Sequence, residues 1–403
     1  MSFEFATAGR IVFGCGTLAQ AAPAAAAFGR RALVVTGRNP ERAAPLLDAL
    51  LKEGVAFETF AVSGEPTIEN ARQAAAFSAD VVIGFGGGSV IDLAKAAAAL
   101  MTNPGDPLDY LEVIGKGMPL TERPAPCIAI PTTAGTGAEV TKNAVLASPE
   151  HKVKVSMRHP LMIPDLAIVD PECTLSMPPA VTASTGLDAL TQLLEAFISK
   201  KANPMTAGFC REGLPRAVRS LRRVFENGDD LAAREEMAMA SLFGGLALAN
   251  AGLGAVHGFA GPLGGMFSAP HGMVCAALLP HVMKANLNAL VGRASCIQGR
   301  VSSGTPNTHK LSEYREPCPT LFFQALEKLE EFARMTGNST AEEGIDWLAG
   351  LCRDLQVPPL SALGITESDF PEIVEKSKNS SSMKGNPVEL SDAELMQILG
   401  DAL

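Results

Sequence analysis

The rhythm of apolar and polar positions changes once along this chain, near Pro178-Pro179. Before that point, short apolar runs alternate with amphipathic stretches. Ala32-Leu-Val-Val-Thr36 stops at Gly37. It reads as a buried parallel strand, because a strand covered on both faces carries a continuous apolar run rather than an alternation. The pattern then predicts a helix over 41–53, a strand over 57–62, a helix over 68–77 and a strand over 80–84. Gly86-Gly87-Gly88-Ser89 leads into a helix over 90–101. This βαβαβ order implies a parallel, doubly wound sheet. A further strand is expected over 126–130, a hairpin from 143–146 and 153–157 around Ser148-Pro149-Glu150, and a last strand over 166–169.

Pro179 suits a first helical position, and nearly everything from Ala180 to Leu403 reads as helix with short breaks. The expected division is an α/β dinucleotide-binding domain over 1–180 and an all-helical domain over 181–403. The segment 302–319, rich in Ser, Thr and Pro, reads as an exposed loop between helices. No repeat period is present.

At 403 residues the chain is long for one core, which agrees with two domains. Charged residues at 19% and hydrophobic residues at 47% exclude a disordered chain. One Trp and two Tyr against 38 Gly point to a core of small aliphatic side chains and closely approaching backbones. A net charge of -10 argues against nucleic acid, whose phosphates call for clustered Lys and Arg. The pairs Arg30-Arg31, Lys200-Lys201 and Arg222-Arg223 read as solvated helix ends. The eight cysteines form no CxxC pair, and no basic-then-apolar leader opens the chain. Reduced thiols in a cytoplasmic protein are expected.

Between Glu236 and Lys284 there is no Asp, Glu, Lys or Arg. That stretch could span a bilayer by length. Asn250, His257, Pro262, Pro270, His271 and Pro280 interrupt it, so a buried helical wall around something polar is expected instead, with no membrane.

Three groups of residues could carry chemistry. Gly86, Gly87, Gly88 and Ser89 join a strand to a helix, where small residues let a ligand approach and the helix N-terminus offers free N–H groups to a pyrophosphate. The run is not a GxGxxG fingerprint, and no acidic residue follows the first strand; Gly37-Arg38 stands there instead. Asp92 and Lys95 share the following helix. A surface ion pair accounts for the spacing of Lys95, while Asp92 would fix a neighbouring loop. Thr132, Thr133 and Thr136 cluster in a turn after a strand, either gripping phosphate and ribose or closing local turn bonds. Finally, Asp188 and Gln192 share one helix face, four apart, and His257 and His271 lie in the uncharged stretch. A carboxylate, an amide oxygen and two imidazoles can hold a divalent metal. His281 reads as structural, and His151, His159 and His309 have no evident role.

These residues resemble the iron-containing (group III, metal-dependent) alcohol dehydrogenases. The resemblance rests on Gly86-Gly-Gly-Ser-Val-Ile-Asp-Leu-Ala-Lys95, Pro131-Thr-Thr-Ala-Gly-Thr-Gly-Ala-Glu139, Ala167-Ile-Val-Asp-Pro171, Gly186-Leu-Asp-Ala-Leu190, Asn250-Ala-Gly-Leu-Gly254, Pro270-His-Gly272 and Gly385-Asn-Pro387, in order along the chain. It implies a dehydroquinate synthase-like architecture with the active site in a cleft between the two domains, and often a homodimer. Gly87, Gly88 and Ser89 would meet the pyrophosphate of NAD or NADP. Thr132, Thr133, Thr136 and Lys154 would line the nucleotide and nicotinamide. Asp188, His257 and His271 would be metal-binding and catalytic, holding iron or zinc.

Two departures stand out. The family usually has His where this chain has Gln192, and often a second His at the position of Gly261. Gln192 leaves three readings open: a ligand, a neighbour of a three-ligand site, or a site with little or no metal. Members that prefer NAD often carry Asp at the Gly37 position, so Gly37 with Arg38 leaves NADP open as well. The expected reaction is hydride transfer between a nicotinamide and a small alcohol or aldehyde. The alternatives are reduction of an oxo-acid of the maleylacetate type, with Lys154 and Arg158 toward carboxylates, and a cofactor-binding protein without turnover.

Overall fold

The computed structural model describes residues 2–151, 153–267, 269–302 and 319–403. Its first half contains β1 (Arg10–Phe13), α1 (Ala21–Phe28), β2 (Arg31–Thr36), α2 (Ala44–Lys52), β3 (Ala56–Ala61), α3 (Ile68–Ala75) and β4 (Val81–Gly86). Then come α4 (Gly88–Thr102), α5 (Pro107–Tyr110), β5 (Cys127–Pro131), β6 (Asn143–Ser148), β7 (Val153–Arg158) and β8 (Leu166–Val169). Six strands form a parallel sheet in the order β1-β8-β5-β4-β2-β3, and β6 and β7 pair as a separate antiparallel hairpin.

The continuous apolar runs are explained by burial on both faces. Leu33 and Val35 of β2 pack with Val82 of β4, Ile68 and Ala71 of α3, and Leu93 and Ala97 of α4. The alternate residues Ala32 and Val34 join Ile83, Ile128 and Ile130 against Ala21 and Ala25 of α1 and Leu46 and Leu50 of α2. The chain leaves β2 for the edge strand β3 and returns through α3 to β4, on the other side of β2. This reversal opens a crevice beyond the carboxyl ends of β2 and β4, where such sheets bind ligands. The expected helix over 41–53 begins with a 3-10 turn at Pro40–Ala43 before α2. β1, four partly exposed residues, carries only the short apolar run Ile11-Val12-Phe13 and is placed by pairing with β8.

Helices fill the second half: α6 (Pro179–Ile198), α7 (Pro204–Glu226), α8 (Leu231–Ala251), α9 (Ala255–Phe267), α10 (His271–Ser302), α11 (Pro319–Met335), α12 (Ala341–Asp354), α13 (Phe370–Lys378) and α14 (Asp392–Asp401). Local rules set their starts. Pro179 and Pro204 stand at first helical positions, and the Asn203 side chain accepts from the N–H groups of Met205 and Thr206. Every residue of α6 from Gly186 to Ile198 is buried, so this helix is the axis of the half, surrounded by α7, α8, α10 and α11. Most of the polar stretch expected as a loop over 302–319 lies outside the described residues.

The uncharged stretch becomes part of α8, α9 and the first half of α10. The window His271–Ala294 is long and apolar enough to cross a membrane, yet 67% of it is buried inside the fold. The two halves interlock where Gly137, held at φ 59°, meets Gly245 of α8. A Cβ on Gly137 would lie 2.4 Å from the Gly245 Cα, so two backbones touch where any side chain would hold them apart.

Candidate metal and nucleotide site

The glycine side is built from backbone. Gly87 caps α4 in an extended conformation, with no side chain bonded to the first turn. The N–H groups of Val90 and Ile91 go to the Gly87 carbonyl, leaving those of Gly88 and Ser89 at the helix start, facing the crevice. The glycines are forced by close neighbours. A Cβ on Gly86 would come within 2.5 Å of Val90, and one on Gly88 within 2.7 Å of the Thr136 hydroxyl. Thr133 stands over Gly87 at 3.3 Å by the same measure, and the Thr132 N–H donates to the Gly86 carbonyl at 2.9 Å. The threonine turn and the glycine turn are therefore one structure. Gly37 ends β2 beside Val90, and the exposed Arg38 next to it donates twice to the Ser63 hydroxyl.

Asp92 and Lys95 work from behind this turn. Asp92 accepts the Val145 N–H at 3.0 Å and pairs with Lys95 at 3.0 Å. Lys95 is not the surface ion pair its spacing suggests. Its ammonium is fully buried and also donates to the carbonyls of Ala138 and Asn143 and to the Thr141 hydroxyl. The pair ties α4 to β6 and to the threonine turn, the anchoring role the sequence suggested for Asp92. Lys154 on β7 pairs with Glu65 at 2.9 Å and lies against Gly264 of α9.

The other side is built from side chains. Asp188, Gln192 and Glu195 lie on α6 at spacings of four and three, hence on one face. His257 comes from the first turn of α9, and His271 and Cys275 from the first two turns of α10. His257 Nε2 is 3.2 Å from Asp188 Oδ1, and His271 Nε2 is 3.8 Å from the same oxygen. One donor atom from each of Asp188, His257, His271 and Cys275 falls within a 4.8 Å group. Asp188 and His257 are buried, whereas the His271 side chain is 33% exposed and marks the open side.

A carboxylate buried among apolar helices is costly unless paired. Burial alone would raise Asp188, but the bond from His257 and the charges of His271 and His257 hold it below the ordinary carboxylate range. Burial would lower His257; Cys275, Asp188 and Glu195 outweigh it and hold the imidazole well above its usual value. Cys275 is likewise pulled below a free thiol by the two imidazoles, against its burial. The Asp188 carboxylate and the Cys275 thiol favour positive charge between them, while the two imidazoles oppose each other when charged. That is the donor chemistry a divalent cation takes, and the residues present fit one.

Glu195 escaped the sequence reading. Its Oε2 meets His257 Nδ1 at 2.6 Å and its Oε1 accepts the Val256 N–H at 2.7 Å. This carboxylate fixes the ring so that Nε2 points into the cluster, the usual outer partner of a ligating histidine. Cys275 likewise carries no signal of its own in the sequence. The signal available for both was position: Glu195 seven residues beyond Asp188, Cys275 four beyond His271. Gln192 donates through Nε2 to Asp188 Oδ2 at 3.0 Å, while its Oε1 is buried without a partner. Gly261, one turn beyond His257, has nothing within 4 Å of where a Cβ would sit.

The two sides meet through the turn after β5. Thr136 covers Gly88, while a Cβ on Gly135 would lie 2.8 Å from Thr185, one turn before Asp188 on α6. Gly272, next to His271, packs on Ser184 of the same helix. The glycine cradle and the Asp188 cluster thus adjoin the same turn.

The comparisons with known proteins cover the same two halves. Residues 8–171 match the model of the iron-containing alcohol dehydrogenases, and residues 182–403 that of the C-terminal part of the same family. The long-chain-alcohol dehydrogenase 1 of Geobacillus thermodenitrificans is 40% identical over 72% of this chain and 71% of its own length. The 1,3-propanediol dehydrogenase of Klebsiella pneumoniae is 36% identical over 80% of this chain and 76% of its own. A crystal structure of 1,3-propanediol oxidoreductase superposes with a TM-score of 0.86 and 32% identity, covering 100% of both chains. Cradle, cluster and matches agree: the chain belongs to the iron-containing alcohol dehydrogenase family and is an NAD-dependent alcohol oxidoreductase.

Proposed function

We propose that this chain interconverts a primary alcohol and its aldehyde, with Asp188, His257 and His271 holding a divalent metal and the β4–α4 turn holding the nicotinamide nucleotide. The observation that carries the reading is the convergence of the two imidazoles on Asp188 Oδ1 at 3.2 and 3.8 Å, across the crevice from the glycine cradle. A bound metal supplies Lewis-acid stabilisation of the substrate oxygen. The chain's residues do the rest. The N–H groups of Gly88 and Ser89 bind the pyrophosphate; Thr132, Thr133 and Thr136 hold the nucleotide over them. Glu195 orients His257, and α9 keeps water from the reacting atoms. Hydride would pass from the carbinol carbon to a bound nicotinamide, and the hydroxyl proton would leave through water, the ribose or a threonine hydroxyl. The space at Gly261 gives the substrate room beside His257.

NAD is the family's cofactor. Arg38, held on Ser63 beyond the carboxyl ends of β2 and β3, adds a cation where NADP carries its extra phosphate, and supports use of both. Comparing kcat/KM with NAD and NADP on the same alcohol decides it. Names of relatives point to long-chain alcohols and 1,3-propanediol as the first substrates to try. The oxo-acid reading loses its support, since Lys154 is paired with Glu65 and Arg158 with Glu112. Two domains meeting near residue 180, supported by the start of α6 at Pro179, and a cytoplasmic homodimer, supported by the resemblance, complete the proposal. The test is reduced-nicotinamide absorbance on adding a primary alcohol, before and after chelation. Alcohol-dependent reduction lost on chelation and restored by metal is expected; no absorbance change with any alcohol or aldehyde overturns the reading.

A further inference from the structure

We propose that the fourth metal donor in this chain is Cys275 Sγ rather than the side chain at position 192, giving a carboxylate, two imidazoles and a thiolate that favour zinc or cobalt over iron. The inference rests on the metal reading above and deepens it.

Tetrahedral zinc has bonds of about 2.0 Å to nitrogen or oxygen and about 2.3 Å to sulfur, which sets ligand atoms about 3.3 Å apart, or about 3.6 Å when one is sulfur. Three of the six separations lie near these values, with His257 Nε2 to Asp188 Oδ1 at 3.2 Å, His271 Nε2 to Asp188 Oδ1 at 3.8 Å and Cys275 Sγ to His271 Nε2 at 3.7 Å, and all four donor atoms fall within 4.8 Å of one another. Cys275 lies one turn along α10 from His271, so a single rigid helix delivers both donors. It is fully buried, beside the apolar Val274, Leu278 and Leu279 of the same helix.

Gln192 is turned to another task. An amide beside a carboxylate must present its N–H, since two oxygens would repel, and Gln192 Nε2 donates to Asp188 Oδ2. That bond occupies one carboxylate oxygen and leaves Oδ1 for the metal. The Gln192 Oε1 lies toward Gly244, 3.4 Å from where a Cβ there would be. A thiolate in the set loses its proton to solvent on binding and, with Asp188, cancels the charge of the dication. Thiolates select zinc-like metals, whereas an all-nitrogen-and-oxygen set accepts iron readily.

The test is cobalt(II) titration of the chelator-stripped full-length protein, followed by absorbance, in wild type, Cys275→Ser and Gln192→Ala. The expected result is an intense near-ultraviolet sulfur-to-cobalt band in wild type and Gln192→Ala. In Cys275→Ser that band disappears and cobalt affinity falls about 100-fold; loss of the outer partner in Gln192→Ala costs about tenfold. Visible cobalt bands without the near-ultraviolet band, or a band that survives Cys275→Ser, overturn the proposal. Zinc X-ray absorption of the wild type gives a second reading that needs no variant. A sulfur shell at about 2.3 Å is expected, and its absence overturns the assignment. A chain that binds neither cobalt nor zinc overturns the metal reading itself, and the proposal with it.

Discussion

Each half of this molecule buries a carboxyl group, and the two halves treat it in opposite ways. In the helical half, Asp188 is met by two imidazoles, and its charge is held below the ordinary range against the pull of burial. In the α/β half, Glu139 at the end of the threonine turn is just as buried. Burial dominates there, its own backbone N–H and Lys95 oppose weakly, and the group is pushed up to about 7. Lys95 spends its bonds on Asp92 and on backbone carbonyls instead. Asp188 keeps its charge because facing imidazoles supply partners, whereas burial pushes Glu139 toward its protonated form. The same division separates the Asp188 cluster from the glycine cradle.

Substitutions can break or sharpen that contrast. The largest effect on stability is expected at Glu139. Its folded value, about 7, lies above the 4.5 of an ordinary glutamate, so the native state holds the proton more tightly than the unfolded chain. The associated stability is complete below pH 4.5 and is lost as pH rises toward 7. Glu139→Gln cannot ionise and should be more stable than wild type by about 3 kcal/mol at pH 8, the difference vanishing at low pH. Urea unfolding across pH checks this, and a gain independent of pH would mean that Glu139 is not a suppressed acid.

Glu195→Gln comes next. It keeps the shape but weakens the hold on His257 Nδ1, so metal affinity should fall about 10- to 100-fold with little change in NAD affinity. Competition with a chromophoric chelator measures it; unchanged metal affinity would remove Glu195 from the site. Gly88→Ala tests the opposite side. The new methyl would press on the Thr136 hydroxyl at 2.7 Å. Overpacking of about 1–3 kcal/mol predicts roughly tenfold weaker NADH binding by fluorescence titration, with metal content unchanged. The smallest effect is at Gly261, where open space lets Ala stabilise α9 by about 0.5–1 kcal/mol. A destabilised Gly261→Ala variant would show that the space beside His257 is not free.

The contrast also explains what the amino-acid sequence disclosed. The cradle was legible because its parts are contiguous: Gly86 through Ser89 follow one strand and Thr132 through Thr136 follow another. The sheet was legible because both of its faces are buried. Asp188, His257 and His271 could be gathered only because a long uncharged stretch and a family pattern marked them. Spacing alone does not bring 188, 257 and 271 together; the crossing of α6, α9 and α10 does. Cys275 stayed hidden because a cysteine in an apolar helix reads as a small hydrophobe. Lys95 was read as exposed because a three-residue spacing to Asp92 says nothing about which way a helix faces. β1 is too short and too exposed to announce itself, and its place is fixed by β8, far along the chain.

The cluster at Asp188 is the centre of the molecule's chemistry, and the measurement that tests it most directly is the metal content of the purified protein beside its Asp188→Ala variant. One divalent metal per chain in the wild type is predicted, and almost none in the variant. Alcohol-dependent NAD reduction in the variant should fall about a thousandfold or more, as several kcal/mol of lost charge stabilisation requires. A wild-type protein that oxidises alcohol without stoichiometric metal, or a variant that keeps its metal, would contradict the account.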